Sequence, residues 1–182
     1  MNPARTLQIV SFILALAVTV VTADELSDRV DELFTEVDST SSPGAAVAIV
    51  RDGKVIYANA YGMADLEHLS VLTPESVFYS GSVSKQFTAA CIAMLVLDGK
   101  LSLDDPVTNF FPRLPEDVYG DVKVRHLVHH TSGVRDYFDL LEPAGRGLDY
   151  LTSEYLIDIL ARQRALNFEP GSRYLYSNSG YL

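Results

Sequence analysis

Hydrophobic and polar positions alternate in blocks that predict a small set of elements. From Asp24 to Val37 the apolar residues Leu26, Val30, Leu33, Phe34 and Val37 recur at helical spacing with acids between them, so the stretch predicts an amphipathic helix. Ser39 to Gly44 is a cluster of breakers. Two apolar runs follow, Ala45–Val50 and Val55–Ala60, joined by Arg51-Asp52-Gly53-Lys54. An Asp-Gly pair between two such runs predicts a hairpin. The first run is apolar at odd and even positions alike, which predicts a sheet covered on both faces.

The stretch Lys85–Leu97 has another character. Every residue from Ala89 to Leu97 is apolar, and Gly99 offers a stop. A helix apolar on all sides is expected to be buried within a larger protein, with more partners than this chain supplies and with Cys91 an inert thiol inside it. Pro106, Pro112 and Pro115 make the next stretch irregular. Val124–His130 predicts a short helix ended by Thr131-Ser132-Gly133. Thr152–Arg164 predicts a second amphipathic helix, with Tyr155, Leu156, Ile159 and Leu160 on one side. Pro170-Gly171 opens a loop. No repeat, low-complexity tract or linker divides the mature chain, which predicts one domain at 24–182.

The first 23 residues stand apart. Arg5 is the only charge before Asp24, Ile9–Val21 is almost wholly apolar, and Val21-Thr22-Ala23 places compact residues at a cleavage site. This is the pattern of a secretory signal peptide over 1–23, and the apolar run is short for a membrane span of ~20 residues. The expectation is an exported protein, periplasmic or secreted, that meets the membrane only during export.

Charge and composition narrow the function. The chain of 182 residues carries 14 Lys and Arg against 24 Asp and Glu, and so acidic a surface repels phosphate backbones and argues against nucleic-acid binding. Hydrophobic residues at 48% imply a globular fold rather than disorder. With one cysteine there is no internal disulfide and no Cys-rich zinc site.

Candidate chemistry lies at two places. In Ser82-Val83-Ser84-Lys85, positions i and i+3 share a helix face, so Ser82 and Lys85 stand one turn apart at the entrance of the apolar helix. A serine hydroxyl needs a base to take its proton, and unpaired N–H groups at a helix start can stabilise a developing oxyanion. In Tyr176-Ser177-Asn178, an extended chain turns Tyr176 and Asn178 to one side and Ser177 to the other. A phenol near an ammonium has its phenolate favoured, which makes Tyr176 a candidate general base. An amide offers both a donor and an acceptor to a substrate. Either motif alone is common by chance.

Together and in this order they resemble the serine β-lactamase and penicillin-binding protein superfamily, whose signature is Ser-x-x-Lys with a second Ser-Asp-Asn motif. Tyr-x-Asn in that second place is similar to the class C β-lactamase, DD-carboxypeptidase and esterase branch. Pro43–Val50 with its hairpin, Phe78–Thr88, Leu101–Val107, His130-Thr131-Ser132-Gly133 and Phe168-Glu169-Pro170-Gly171 extend the resemblance over about 26–182. The resemblance implies an α+β, β-lactamase/transpeptidase-like fold: an antiparallel sheet flanked by helices, a mostly helical subdomain, and the active site between them. It implies acylation of Ser82 by a β-lactam, D-amino-acid peptide or ester, with Lys85 and Tyr176 relaying the proton. The Ser82 N–H then forms half of an oxyanion hole, and Asn178 holds the substrate amide or orients Lys85. No metal or organic cofactor is implied, and the partner is a small-molecule or peptide substrate.

The family's third motif, Lys-Thr-Gly or His-x-Gly on a late strand, has no counterpart in these residues. With only two convincing strands and an all-apolar helix, the expectation is an N-terminal fragment, inactive by itself, of a larger serine hydrolase. The alternative is a relative of the same fold that captures ligands without turnover. His126, His129 and His130 share a helical spacing but lack the glutamate of His-Glu-x-x-His, so they are expected to be structural rather than the centre of a metal-dependent hydrolase. Gly145-Arg146-Gly147 lacks the strand and third glycine of a dinucleotide loop, and no Gly-x-Ser-x-Gly elbow occurs. The oligomeric state is not legible.

Overall fold

The computed structural model describes residues 23–144 and 151–182. The leader expected at 1–23 lies outside the described residues except for Ala23, and so does Gly145-Arg146-Gly147. Among the described residues no helix is long and apolar enough to cross a membrane. The architecture is α+β, and the chain packs as two compact units that meet in sequence between Phe78 and Tyr79. No breaker run marks that boundary, which is why the sequence offers no linker there.

The first unit is a helix on a hairpin. Helix α1 (Ala23–Phe34) precedes strands β1 (Ala45–Arg51) and β2 (Lys54–Tyr61), which pair antiparallel from Ala45↔Tyr61 to Arg51↔Lys54 with an irregularity between Ile49 and Val50. Asp52 and Gly53 both have positive φ, 50° and 72°, as the mirror-image turn of a two-residue hairpin requires. Tyr57, Asn59 and Tyr61 share one face of β2, and all three donate to Asp31 Oδ1 of α1, at 2.6, 3.2 and 2.6 Å. The Tyr57 and then the Tyr61 hydrogen bond hold the Asp31 carboxyl below its usual pKa. Phe34 stacks on Tyr61 at 4.7 Å.

Cover on both faces of this sheet needs more partners than these residues supply, and among the described residues one face stays open. The opposite face pairs Ala46 with Ala60 and Ala48 with Ala58, and Ala48 and Ala58 are exposed, as are Val50 and Val55 beyond the irregularity. A single helix covers only one face of a hairpin. A second, shorter pair of strands, β3 (Met63–Asp65) and β4 (Ser70–Val71), was not expected; runs of three and two residues are too short to show a period.

The second unit is helical. Helix α2 spans Lys85–Leu97, with the bounds the apolar run predicts, and ends with Gly99 at φ 67°. Its expected burial needs a larger protein around it and is not reached among the described residues. None of its residues is buried, and Phe87, Met94 and Leu97 are 65, 65 and 86% exposed. Cys91 is likewise exposed rather than enclosed. Only the stripe Lys85, Ala89, Ile92 and Val96 is half-buried, the described residues supplying neighbours on that side alone.

The core lies further along. After α3 (Glu116–Tyr119) and α4 (Val124–Val128), the cluster Val107, Tyr119, Val122, Val134 and Leu160 is closed to solvent. The buried Tyr119 hydroxyl donates to the Leu160 carbonyl at 2.8 Å. Helix α5 (Tyr137–Leu141) is capped by Asp136, whose Oδ1 accepts from Phe138 N–H. Helix α6 (Ser153–Ala161) is capped by Thr152 and buries Leu156 and Leu160, two of the four residues expected on its inner side. It is three residues shorter than its periodic pattern at the C-terminal end.

Candidate active site

Ser82 sits in a 3₁₀ turn, Gly81–Ser84, that runs directly into α2, and Lys85 is the first residue of the helix proper. The turn keeps Ser82 and Lys85 on one side: Lys85 Nζ donates to Ser82 Oγ at 3.3 Å. The other half of the site comes from the segment after Pro170, which is laced to the loop after α4. Gly171 N–H donates to Thr131 O, Leu175 N–H to His130 O, and Asn167 N–H to Gly133 O, at 2.8, 2.9 and 2.7 Å. Gly133 has φ 72°, and a Cβ there would lie 2.2 Å from the Phe168 carbonyl oxygen, so glycine is what allows the two segments to touch.

That lacing carries Tyr176 and Asn178 to Ser82. The Tyr176 hydroxyl lies 2.7 Å from Ser82 Oγ, and Asn178 Oδ1 accepts from Lys85 Nζ at 2.9 Å and from Tyr176 O–H at 3.3 Å. Ser177 points the other way and is buried, as an extended segment requires. The four residues proposed from sequence therefore form one hydrogen-bonded group, all within the second unit. They line an open cleft of about 480 Å³ together with Tyr79, Tyr137 and Phe138.

Tyr176 is held below its usual pKa, first by the Lys85 hydrogen bond and then by that of Ser82, against the negative charge of Asp136. Lys85 Nζ also lies 5.1 Å from the Tyr176 ring centre. Beneath that ring lies His130, stacked at 4.4 Å, with its Nδ1 accepting from Ser177 N–H at 3.2 Å. Burial and then the Lys85 charge lower its pKa, so the imidazole is kept neutral under the phenol. Such a group can pass a proton from a serine hydroxyl to a phenolate without separating opposite charges over a distance.

The sequence reading missed two residues that shape this group. His130 appeared as one member of a histidine triplet and at the head of His130-Thr131-Ser132-Gly133, with no role at the site. In the structure the three separate: His126 Nδ1 accepts from Lys123 N–H, His129 is exposed, and His130 supports Tyr176. Among the described residues no group of three or more His, Cys, Asp or Glu could hold a metal ion. Asp136 was missed altogether. It accepts from both the backbone and the side chain of Asn178, at 2.5 and 2.8 Å. The only local signal was its place before the aromatic pair Tyr137-Phe138, as a helix N-cap.

Comparison with known proteins shows what the chain is similar to. The family described as Beta-lactamase matches residues 28–182. A D-aminopeptidase of Brucella anthropi is 35% identical over 140 residues, which are 76% of this chain and 26% of that protein. Among solved structures, EstCE1, a hydrolase with promiscuous acyltransferase activity, superposes with a TM-score of 0.73 at 33% identity, covering 85% of this chain and 44% of that one. A class C beta lactamase superposes with a TM-score of 0.70 at 27% identity, over 89% of this chain and 43% of that one. The chain thus spans about a quarter of that curated relative and less than half of those solved chains.

Proposed function

The chain belongs to the beta-lactamase family and has its β-lactamase/transpeptidase-like fold, and from that membership we propose that the protein is an exported serine hydrolase working through an acyl-enzyme. The observation that carries the reading is Ser82 Oγ at 2.7 Å from the Tyr176 hydroxyl and 3.3 Å from Lys85 Nζ. Ser82 Oγ attacks the carbonyl carbon of a β-lactam, a D-amino-acid peptide or amide, or an ester. Its proton passes to the Tyr176 oxygen, held ready by Lys85, and from there to the departing amine or alcohol. The Ser82 N–H, at the start of the 3₁₀ turn, faces the charge that develops on the carbonyl oxygen. Water then attacks the ester on Ser82, Tyr176 takes the water's proton, and Ser82 Oγ leaves with a proton. Every step uses groups already within hydrogen-bond reach of Ser82.

The test is hydrolysis of three chromogenic substrates, a β-lactam, a D-amino-acid anilide and a short-chain ester, by the full-length protein that contains these residues and by its Ser82→Ala variant. Turnover of at least one, lost in Ser82→Ala, is the expected result. Absence of turnover of all three by a folded protein, or turnover that survives in Ser82→Ala, overturns the reading.

A further inference from the structure

We propose that Asp136 is a positioning residue that fixes the Asn178 amide in one orientation and, through it, holds the Lys85 ammonium beside Ser82. This rests on the assignment of Ser82 as nucleophile. The argument begins with the polarity of the groups. A carboxylate only accepts hydrogen bonds and an ammonium only donates them. The Asn178 side chain lies between one of each: its Nδ2 donates to Asp136 Oδ2 at 2.8 Å, and its Oδ1 accepts from Lys85 Nζ at 2.9 Å. An amide in that place has a single workable orientation. Reversing it would set its oxygen against a carboxylate and its NH₂ against an ammonium.

Asp136 is itself locked. It is 8% exposed, its Oδ1 accepts from Phe138 N–H at 2.9 Å, and its Oδ2 also accepts from Asn178 N–H at 2.5 Å. Capping α5 needs only one of these oxygens. The second carries both bonds to Asn178, a residue 42 positions away, and these do nothing for the helix. Lysine is a flexible chain with a rotatable ammonium, so its 3.3 Å approach to Ser82 requires a fixed partner. Of the two roles open to Asn178 in the sequence, orienting Lys85 is the one its committed donor end favours.

Charge adds a second consequence. The groups facing Tyr176 are Lys85 of α2, His130 after α4, Asp136, Tyr137 of α5, and Tyr181. Of these, Asp136 opposes the phenolate that Lys85 favours. Removing its charge favours the phenolate slightly, but releasing Lys85 takes away the first cause that lowers the Tyr176 pKa, so the phenolate becomes harder to form.

The experiment separates positioning from capping. Asp136→Ser keeps a good N-cap residue but is too short to reach the Asn178 amide, and Asp136→Asn keeps the shape without the charge. The rate of Ser82 acylation by a fluorophosphonate probe is measured against pH and probe concentration in each, alongside the thermal melt and the side-chain ¹⁵N–¹H signals of Asn178. Expected in Asp136→Ser are a lowered but still cooperative melt, an acylation rate lower by up to ~10²-fold at saturating probe, and an acid limb moved to higher pH as Lys85 leaves Tyr176. The Asn178 amide signals should lose their distinct shifts and their slow exchange. Wild-type rate and acid limb in both variants, with Ser82 still labelled, overturn the proposal. If wild type is not labelled on Ser82, the acyl-enzyme reading falls, and the amide signals decide the positioning claim: unchanged in Asp136→Ser they overturn it, altered they support it.

Discussion

Ser82 and Lys85 stand on a turn and helix without one buried residue, whereas Tyr176 and Asn178 stand on a segment tied down through Ser132, Asp136, Ser177 and Ser179, each less than a tenth exposed. The helix side is the most apolar part of the second unit, yet it holds its place through a single stripe. The loop side is polar and is closed by hydrogen bonds that cross the chain: Tyr137 N–H to Ser179 Oγ, Ser179 Oγ–H to Arg135 O, Tyr181 O–H to Val128 O. Apolar composition does not by itself measure how firmly a region is held. Buried polar groups with partners specify one arrangement, because each partner lost leaves a desolvated group behind; Ser177 Oγ and Arg135 Nε are buried there without one. Tyr176, the base proposed for Ser82, is on the firmly specified side, and Lys85 is on the other.

The comparison breaks most visibly at Tyr176. The phenol is exposed to the cleft, so Tyr176→Phe should leave the thermal melt unchanged while lowering the acylation rate by ~10²–10⁴-fold, the usual contribution of a general acid–base group. Rapid-quench mass spectrometry checks it, and a wild-type rate would make Tyr176 structural. The next effect is on pH dependence. The acid limb of acylation reports protonation of the Tyr176 base, and Lys85 holds that group below its ordinary pKa. Lys85→Met should therefore move the limb to higher pH, since without the ammonium the phenolate forms later as pH rises. An unmoved limb would show that another group sets it.

Smaller effects separate the two sides by stability. Gly133→Ala places a Cβ against the Phe168 carbonyl in a left-handed conformation, and should cost ~1–3 kcal/mol in denaturant unfolding. Met94→Gln on the exposed face of α2 should change stability by less than ~0.5 kcal/mol. If Met94→Gln proves as costly as Gly133→Ala, the helix is held by more than its stripe and the contrast between the two sides fails.

Local pattern made much of this molecule legible. The ends of α2, the hairpin with its Asp52-Gly53 turn, and the Thr152 cap are set by residues within a few positions of one another. The pairing of Ser82 with Lys85, and of Tyr176 with Asn178, follows from helical and extended spacing. What stayed hidden is what spans distance. The Asp136–Asn178 and His130–Tyr176 contacts join segments more than 40 residues apart, and no periodicity reports them. Burial is hidden for the same reason. The apolar run 89–97 and the alanine-rich face of the hairpin reveal their own composition, but what packs on them is a property of tertiary structure.

The central claim is that Ser82 is a nucleophile activated by Tyr176 and Lys85, and intact-mass analysis after treatment with a fluorophosphonate probe tests it most directly. The account predicts one probe mass added per chain, mapped by peptide digestion to Ser82, absent in Ser82→Ala and strongly slowed in Tyr176→Phe. Equal labelling of Ser82→Ala, or an adduct mapped to another residue, would contradict it.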